Sequence, residues 1–254
     1  VPVVFAAKND PELKFLLESL KKFKNFNKSS VNESWVFNRF AQWKEERGSN
    51  NVQLHDMSDA ESFLKPFYSQ SSSKFWTKQY ADAIYEALPD NSAKQITVWN
   101  PGCGDGYEAF SLACLLKKRY PNAKIKIYAH DNDLIVISSA PLLQIPQSDA
   151  EGWYKPFLSK TVEGNVIFSP EIRDSVLFEY HDCTHMNAIP PVDIIFSRDL
   201  LSFVQAESLD HVCLDFYEKI KENGIVMLGD NEVFSDHQKW LEKTYGSVIV
   251  YNKQ

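Results

Sequence analysis

Between Asn100 and Tyr107 the chain reads Pro-Gly-Cys-Gly-Asp-Gly, and this glycine-dense turn restricts the fold more than any other stretch of the sequence. The apolar run before it, ITVWN (96–100), has the length and composition of a buried strand, and Tyr107 to Tyr120 has helical periodicity. Glycines at such a junction permit a tight turn and a close approach of ligand to backbone. The start of the helix then offers free amide groups to an anion. Taken alone, the turn is either an ordinary strand-to-helix connection or a nucleoside site.

The pattern downstream favours the second reading. Short apolar runs follow at KIKIYAHD (124–131), VLFEYHD (176–182), VDIIFS (192–197), IVMLGD (225–230) and SVIVY (247–251), separated by longer segments. Strands alternating with helices imply an α/β chain with a largely parallel sheet covered on both faces. Asp131 closes the second run, where a ribose with two vicinal hydroxyls would lie and where two acceptor oxygens could hold both. These features do not separate a dinucleotide dehydrogenase from a methyltransferase, because both bind a nucleoside at the same switch point of the sheet.

The rest of the chain has a different character. Helical spacing from Pro11 to about Glu46 (Leu13, Leu16, Leu20, Phe23, then Trp35, Val36, Phe40, Trp43) predicts a small helical domain over 1–70. Polar residues Ser69 to Ser73 interrupt it, and Phe75 to Leu88 predicts a linking helix within 71–90. Residues 91–254 form the α/β domain, with an insertion at about 140–176, where Gly152, Gly164 and four prolines break the rhythm. The net charge of -7 divides into +3 for residues 1–80 and -10 for the remainder. That balance argues against a nucleic-acid binder, whose phosphate contacts need a basic face. The absence of an apolar stretch of roughly 18 to 20 residues argues against membrane insertion. The opening VPVVFAAKNDPELKF lacks the basic flank of a signal peptide, so a cytoplasmic protein is expected, and the unmatched start at Val1 suggests part of a longer one. Cys103, Cys114, Cys183 and Cys213 form no CxxC pair, which predicts neither a disulfide framework nor a thiolate metal cluster.

Taken in order, VWNPGCGDGYEAFSLACLL, IYAHDND, VLFEYHDCT, VDIIFSRDLLSF and KENGIVMLGDNEVF resemble the CheR family of bacterial chemotaxis receptor methyltransferases. That family carries a glycine loop, an ATDxD strand end, a CRNxLIYF segment and a late PGGxLxxGxxE strand. Phe37-Asn38-Arg39-Phe40 and Glu46-Arg47-Gly48 resemble its helical domain. The resemblance implies an S-adenosylmethionine-dependent, class I, Rossmann-like methyltransferase domain with a small N-terminal helical domain and a small β insertion. It implies S-adenosylmethionine or S-adenosylhomocysteine as the bound species. Gly102, Cys103, Gly104 and Gly106 would line the methionine end, with Glu108 near its ammonium and Asp131 on the ribose. Asp182 and Cys183 would face the adenine, and Ser197 and Arg198 the methionine moiety. Implied partners are chemoreceptor cytoplasmic helices or other chemotaxis array proteins, one of which could be fused to this chain.

Two family segments are altered. NxTxFFR corresponds to Ser71-Ser72-Ser73-Lys74-Phe75-Trp76-Thr77, which keeps a hydroxyl at Ser73 but replaces the arginine by Thr77. CRNxLIYF corresponds to Ser197 through Val204, with Asp199 for asparagine and Phe203 for tyrosine. Losing a donor that acts in the transition state typically costs about 2.7 to 4 kcal/mol. The expectation is therefore a cofactor-binding module with weak or absent transfer and a scaffold or sensor role. The alternative is an active glutamate O-methyltransferase compensated by Lys74, Lys78 or Tyr80. An added carboxylate at Asp199 is expected to repel a glutamate substrate.

Four other features have bland readings beside functional ones. His181, Cys183 and His185, at spacing two, can hardly all reach one zinc ion and are read as cofactor-pocket or surface groups. Trp35, Phe37, Phe40 and Trp43 are read as core. Lys21, Lys22, Lys24 and Lys28 are a solvated face or a docking surface for acidic receptor helices. The insertion, with Trp153, Tyr154, Phe157 and NVIFS (165–169), is either a packed hairpin or a strand-addition site for a receptor tail.

Overall fold

A computed structural model describes residues 10–48, 51–162 and 164–254. The opening residues 1–9, read above against a signal peptide, lie outside the described residues. The chain divides into two compact units.

The smaller unit runs to Gln70 and also takes in Arg198–Val212 and Leu228–Asp236. Its helices are α1 (Pro11–Lys24), α2 (Glu33–Arg47) and α3 (Met57–Leu64). Asp10 caps α1 by accepting from the Glu12 amide, Pro11 opens the first turn, and Asn25 closes the helix in the left-handed region. The predicted stripes meet in one core: Leu13, Leu16, Leu20, Phe37, Phe40, Trp43, Phe63 and Phe67 are buried. Full burial of each such side chain contributes about 1.5 to 3 kcal/mol. The Trp43 indole donates to the Val52 carbonyl, as a buried indole must. Arg39 is buried, donates to the Phe63 carbonyl and forms a fork with both oxygens of Glu46. That fork is the physical link between the two short motifs noted in this region. Lys24 pairs with Glu61 and Lys28 with Glu33, so half of the lysine cluster is engaged within the unit.

The larger unit holds a seven-stranded sheet of order β5-β2-β1-β6-β7-β9-β8. Its strands are β1 (Gln95–Pro101), β2 (Lys124–Asp131), β5 (Val176–Tyr180), β6 (Val192–Ser197), β7 (Ile220–Leu228), β8 (Trp240–Tyr245) and β9 (Val248–Lys253). β1 lies between β2 and β6 and is parallel to both, and β2 is parallel to β5. The strand order therefore reverses at β1, which makes a crevice at the carboxyl ends of β1 and β6. β9 runs antiparallel to β7 and β8, so the sheet ends in an antiparallel pair rather than continuing parallel. β1 and β6 are buried nearly end to end, as strands covered on both faces must be.

Several elements differ from those expected. β7 begins at Ile220 rather than Ile225, and β5 stops at Tyr180. β8 was not anticipated because only Trp240 of its six residues is buried, leaving a charged edge strand with no apolar alternation. The helix expected from Phe75 begins only at Lys78: α4 (Lys78–Ala87) is capped by the Thr77 hydroxyl, which accepts from the Tyr80 amide. Further helices are α5 (Tyr107–Arg119), α6 (Leu134–Ser139), the short α7 (Gln147–Ala150) and α8 (Pro170–Arg173), and α9 (Ala206–Lys219). Within the insertion, β3 (Leu158–Lys160) and β4 (Val166–Phe168) form a two-stranded antiparallel hairpin. Phe168 of that hairpin is buried and stacks on Phe110 of α5, with centroids 4.7 Å apart.

Candidate functional site

In the larger unit the glycine turn is drawn to the end of β2 by two hydrogen bonds and closed on itself by a third. The Cys103 amide donates to the His130 carbonyl at 3.0 Å and the Gly104 amide to Asp131 Oδ2 at 2.9 Å. The Gly106 amide closes the turn on the Cys103 carbonyl. Gly104 and Gly106 both have positive φ. At Gly106 a Cβ would meet the Phe178 ring at 3.0 Å, whereas at Gly104 it would meet open space. Gly104 thus serves conformation alone, and Gly106 serves conformation and packing together.

Asp131 accepts one amide on each oxygen, from Gly104 on Oδ2 and from Asp133 on Oδ1 at 3.1 Å. A carboxylate oxygen has two acceptor positions, so one on each remains for a vicinal diol. The group the sequence implied therefore fits, and it would meet a carboxylate already oriented by the loop below it. Glu108 is buried in the first turn of α5, and Cys103 is buried within the turn. Burial, with Asp131 next in effect, holds the Cys103 thiol far above its ordinary range and keeps it neutral.

Beyond β5, Asp182 Oδ1 accepts from both the amide and hydroxyl of Thr184. Burial works to raise its pKa, but these bonds and the adjacent His185 and His181 leave it lowered. Cys183 is pushed up to about 12 by burial and by Asp182 beside it. His130, which the sequence reading passed over, is buried next to Asp131 and accepts the Trp99 indole proton at Nδ1, 3.2 Å away. Burial and the neighbouring His181 ring hold it below its usual range. Ser197 is wholly buried at the end of β6. Ser73 is exposed, and both it and Ser71 have positive φ.

In the smaller unit, Arg198 is buried and donates to the Gln70 carbonyl. Asp199 has positive φ and accepts from the Ser69 amide at 2.8 Å and the Ser69 hydroxyl at 2.5 Å. The expected open carboxylate is thus an internal acceptor with both oxygens engaged. Burial raises its pKa against the lowering effect of Ser69. The same Ser69 hydroxyl accepts from the Asp230 amide at 2.7 Å, and Asp230 in turn accepts from the Gln70 amide. Gly229 makes this packing possible: a Cβ there would stand 2.4 Å from Asp199 Oδ1 and 2.7 Å from its amide nitrogen.

Phe203 lies in an aromatic group, edge-on to Phe26 and Phe67 and stacked on Tyr68 at 6.1 Å with planes 6° apart. Glu232, also missed from sequence although it ends the late Gly-x-x-Glu motif, is buried and accepts the Ser202 amide at 2.7 Å. Burial raises it to about 7 despite that bond, with Asp199 adding to the rise.

The strand order, the glycine turn at the carboxyl end of β1 and the acid at the end of β2 define a class I S-adenosylmethionine-dependent methyltransferase domain. Residues 70–250 match the family described as CheR methyltransferase, SAM binding domain, and the chain belongs to that family. Residues 6–63 match the family described as CheW-CheR linker domain. Chemotaxis protein methyltransferase 2 of Vibrio cholerae is 25% identical over 175 residues, covering 62% of this chain and 59% of that protein. An uncharacterized 104.1 kDa protein of Rhodobacter capsulatus is 25% identical over 163 residues, covering 61% of this chain and 17% of the relative. The chain thus spans about a sixth of one relative and six tenths of the other. Among solved structures, PKMT2 from Rickettsia typhi in complex with AdoHcy is similar at 17% identity and a TM-score of 0.39, over 60% of this chain and 24% of that one. Among the described residues no helix is long and apolar enough to cross a membrane.

Proposed function

We propose that this domain binds S-adenosylmethionine or S-adenosylhomocysteine within a chemotaxis array and transfers methyl groups to receptor glutamates weakly or not at all, acting as a scaffold or sensor. Gly102, Cys103, Gly104 and Gly106 line the methionine end in this reading. Glu108 offers charge to the ammonium and Asp131 takes the ribose. Asp182 and Cys183 flank the adenine, and Ser73 and Ser197 complete the methionine side. The support for Asp131 is its geometry, with one acceptor position per oxygen left over after the loop bonds.

The cofactor, when bound, supplies an electrophilic methyl on a sulfonium. A glutamate carboxylate is already nucleophilic at neutral pH, so the chain's contribution is to align it and keep the site dry. The observation that carries the weak-transfer reading concerns the two positions where the family has an arginine and a tyrosine hydroxyl. Thr77 has its hydroxyl bonded to the Tyr80 amide, and Phe203 packs against Phe26, Phe67 and Tyr68 with no hydroxyl of its own. Of the compensating residues, Lys78 is paired with Asp82, and Tyr80 is buried against Trp76. Partners consistent with the linker match are chemoreceptor cytoplasmic helices or other array proteins, including one fused to this chain.

One observation favours the active alternative. Tyr68 stacks on Phe203 and is 42% exposed, so a phenol stands one ring away from the missing hydroxyl. Burial, together with the charges of Asp199 and Glu61, holds it protonated as a donor. Transfer of labelled methyl to chemoreceptor cytoplasmic fragments tests both readings. The proposal expects under about 1% of the rate of an ordinary family member, from loss of one to two transition-state donors. A comparable rate that falls on Tyr68→Phe would establish the alternative.

A further inference from the structure

The β insertion reaches the cofactor end of the larger unit through one buried hydroxyl. Tyr154, 1% exposed, accepts the Trp76 amide proton at 2.7 Å, and its own oxygen lies 2.7 Å from Ser111 Oγ. Ser111, wholly buried in α5, donates to the Tyr107 carbonyl at 2.7 Å. With the Ser111 proton given to the Tyr107 carbonyl, Tyr154 donates to Ser111, a nearer acceptor than the Trp76 carbonyl at 3.2 Å, and the order is Trp76 amide to Tyr154, Tyr154 to Ser111, Ser111 to Tyr107. The neighbouring Trp153 indole donates to the Trp76 carbonyl at 2.8 Å, so the insertion holds both polar groups of one peptide residue.

The two ends of this relay are places of functional weight. Tyr107 directly follows Gly106 and begins the helix of the glycine turn. Trp76 lies three residues beyond Ser73, which like Ser71 has positive φ. Non-glycine residues in such conformations are strained and persist only where the surroundings hold them. Apolar contacts run alongside the relay: the Phe75 ring packs on Tyr107 at 5.0 Å, on Tyr154 at 5.5 Å and on Phe168 of the hairpin at 5.7 Å.

We propose that Tyr154, with Ser111 and Trp153, is a positioning device that sets the Ser71–Thr77 segment in register with the glycine turn, making the insertion part of the cofactor site's support. This rests on the reading that Ser73 faces the cofactor. Tyr154 acts through the Trp76 peptide. The insertion is therefore expected to be indispensable for cofactor affinity, whatever else its hairpin binds.

The test is calorimetric titration with S-adenosylhomocysteine of the parent, Tyr154→Phe, Ser73→Ala and the double variant, with Asp131→Ala as control. Tyr154→Phe keeps the ring packing and removes only the hydroxyl. About tenfold weaker binding is expected, with Ser111→Ala, which breaks the relay from its other end, behaving alike. The double variant should bind no more weakly than the worse single variant, because both changes act on one segment. Amide exchange should speed up at Trp76 and stay slow in β1. Parent-like affinity in Tyr154→Phe with binding lost in Asp131→Ala would overturn the inference and leave the cofactor reading standing, and additive effects of the two substitutions would overturn it equally. A parent protein that binds nothing would overturn both.

Discussion

Ser69 donates its amide and its hydroxyl to the two oxygens of Asp199, so the acid that replaces the family's asparagine is turned into its own unit. The repulsion of a glutamate substrate expected from sequence is weakened, because this half-buried carboxylate has both oxygens engaged by Ser69. Ser69→Ala removes the hydroxyl that serves both Asp199 and the Asp230 amide. It should destabilise the protein by about 1 to 3 kcal/mol, read from urea unfolding.

Gly229→Ala should be at least as costly. The added methyl meets both Asp199 Oδ1 and the Asp199 backbone, so a side-chain rotation alone cannot make room. A loss of about 1 to 3 kcal/mol is expected, and Asp199→Ala in the same chain should not restore it, because the backbone clash remains.

Glu232 gives the protein a pH dependence of predictable sign. Its folded pKa, about 7, lies above the ordinary glutamate value, so the folded state binds more protons between the two. Stability from this group is fully present below about pH 4.5 and is lost as pH rises through about 7, with a total near 3 kcal/mol. Asp199, also raised, acts in the same direction. Urea unfolding at pH 5.5 and 8 should show the decline, and Glu232→Gln should flatten it. A rise in stability over that interval would contradict the assignment.

Thr77→Ala should cost about 1 kcal/mol of stability by uncapping α4, with little effect on cofactor affinity. If the hydroxyl instead took part in transfer, the rate would fall while unfolding stayed unchanged.

The residues that were legible in the sequence are those whose role is local. The glycine turn, Asp131 and the buried strands β2 and β6 follow from spacing and composition, and the structure has β2 and β6 at the expected bounds. β8 was hidden because a charged edge strand has no periodic signature. The late start of α4 was hidden because helical spacing from Phe75 onward is countered by side chains from far along the chain, Trp153 and Tyr154, which take up the Trp76 amide and carbonyl. Ser69 and Glu232 could not be tied to Asp199 and Ser202 from spacing, since their partners are 130 and 30 residues away. Glu232 ends the late Gly-x-x-Glu motif, yet only folding reveals what it holds.

The most direct test of the central claim, a retained cofactor site built on the glycine turn and Asp131, is titration of nucleoside-free protein with S-adenosylhomocysteine alongside Asp131→Ala. Removing a carboxylate that would accept both ribose hydroxyls should weaken binding at least about 100-fold, from the loss of two charge-assisted hydrogen bonds. Saturable binding by the parent and its loss in the variant is the expected result. Equal affinity in the two proteins, or no binding by either, would contradict the account.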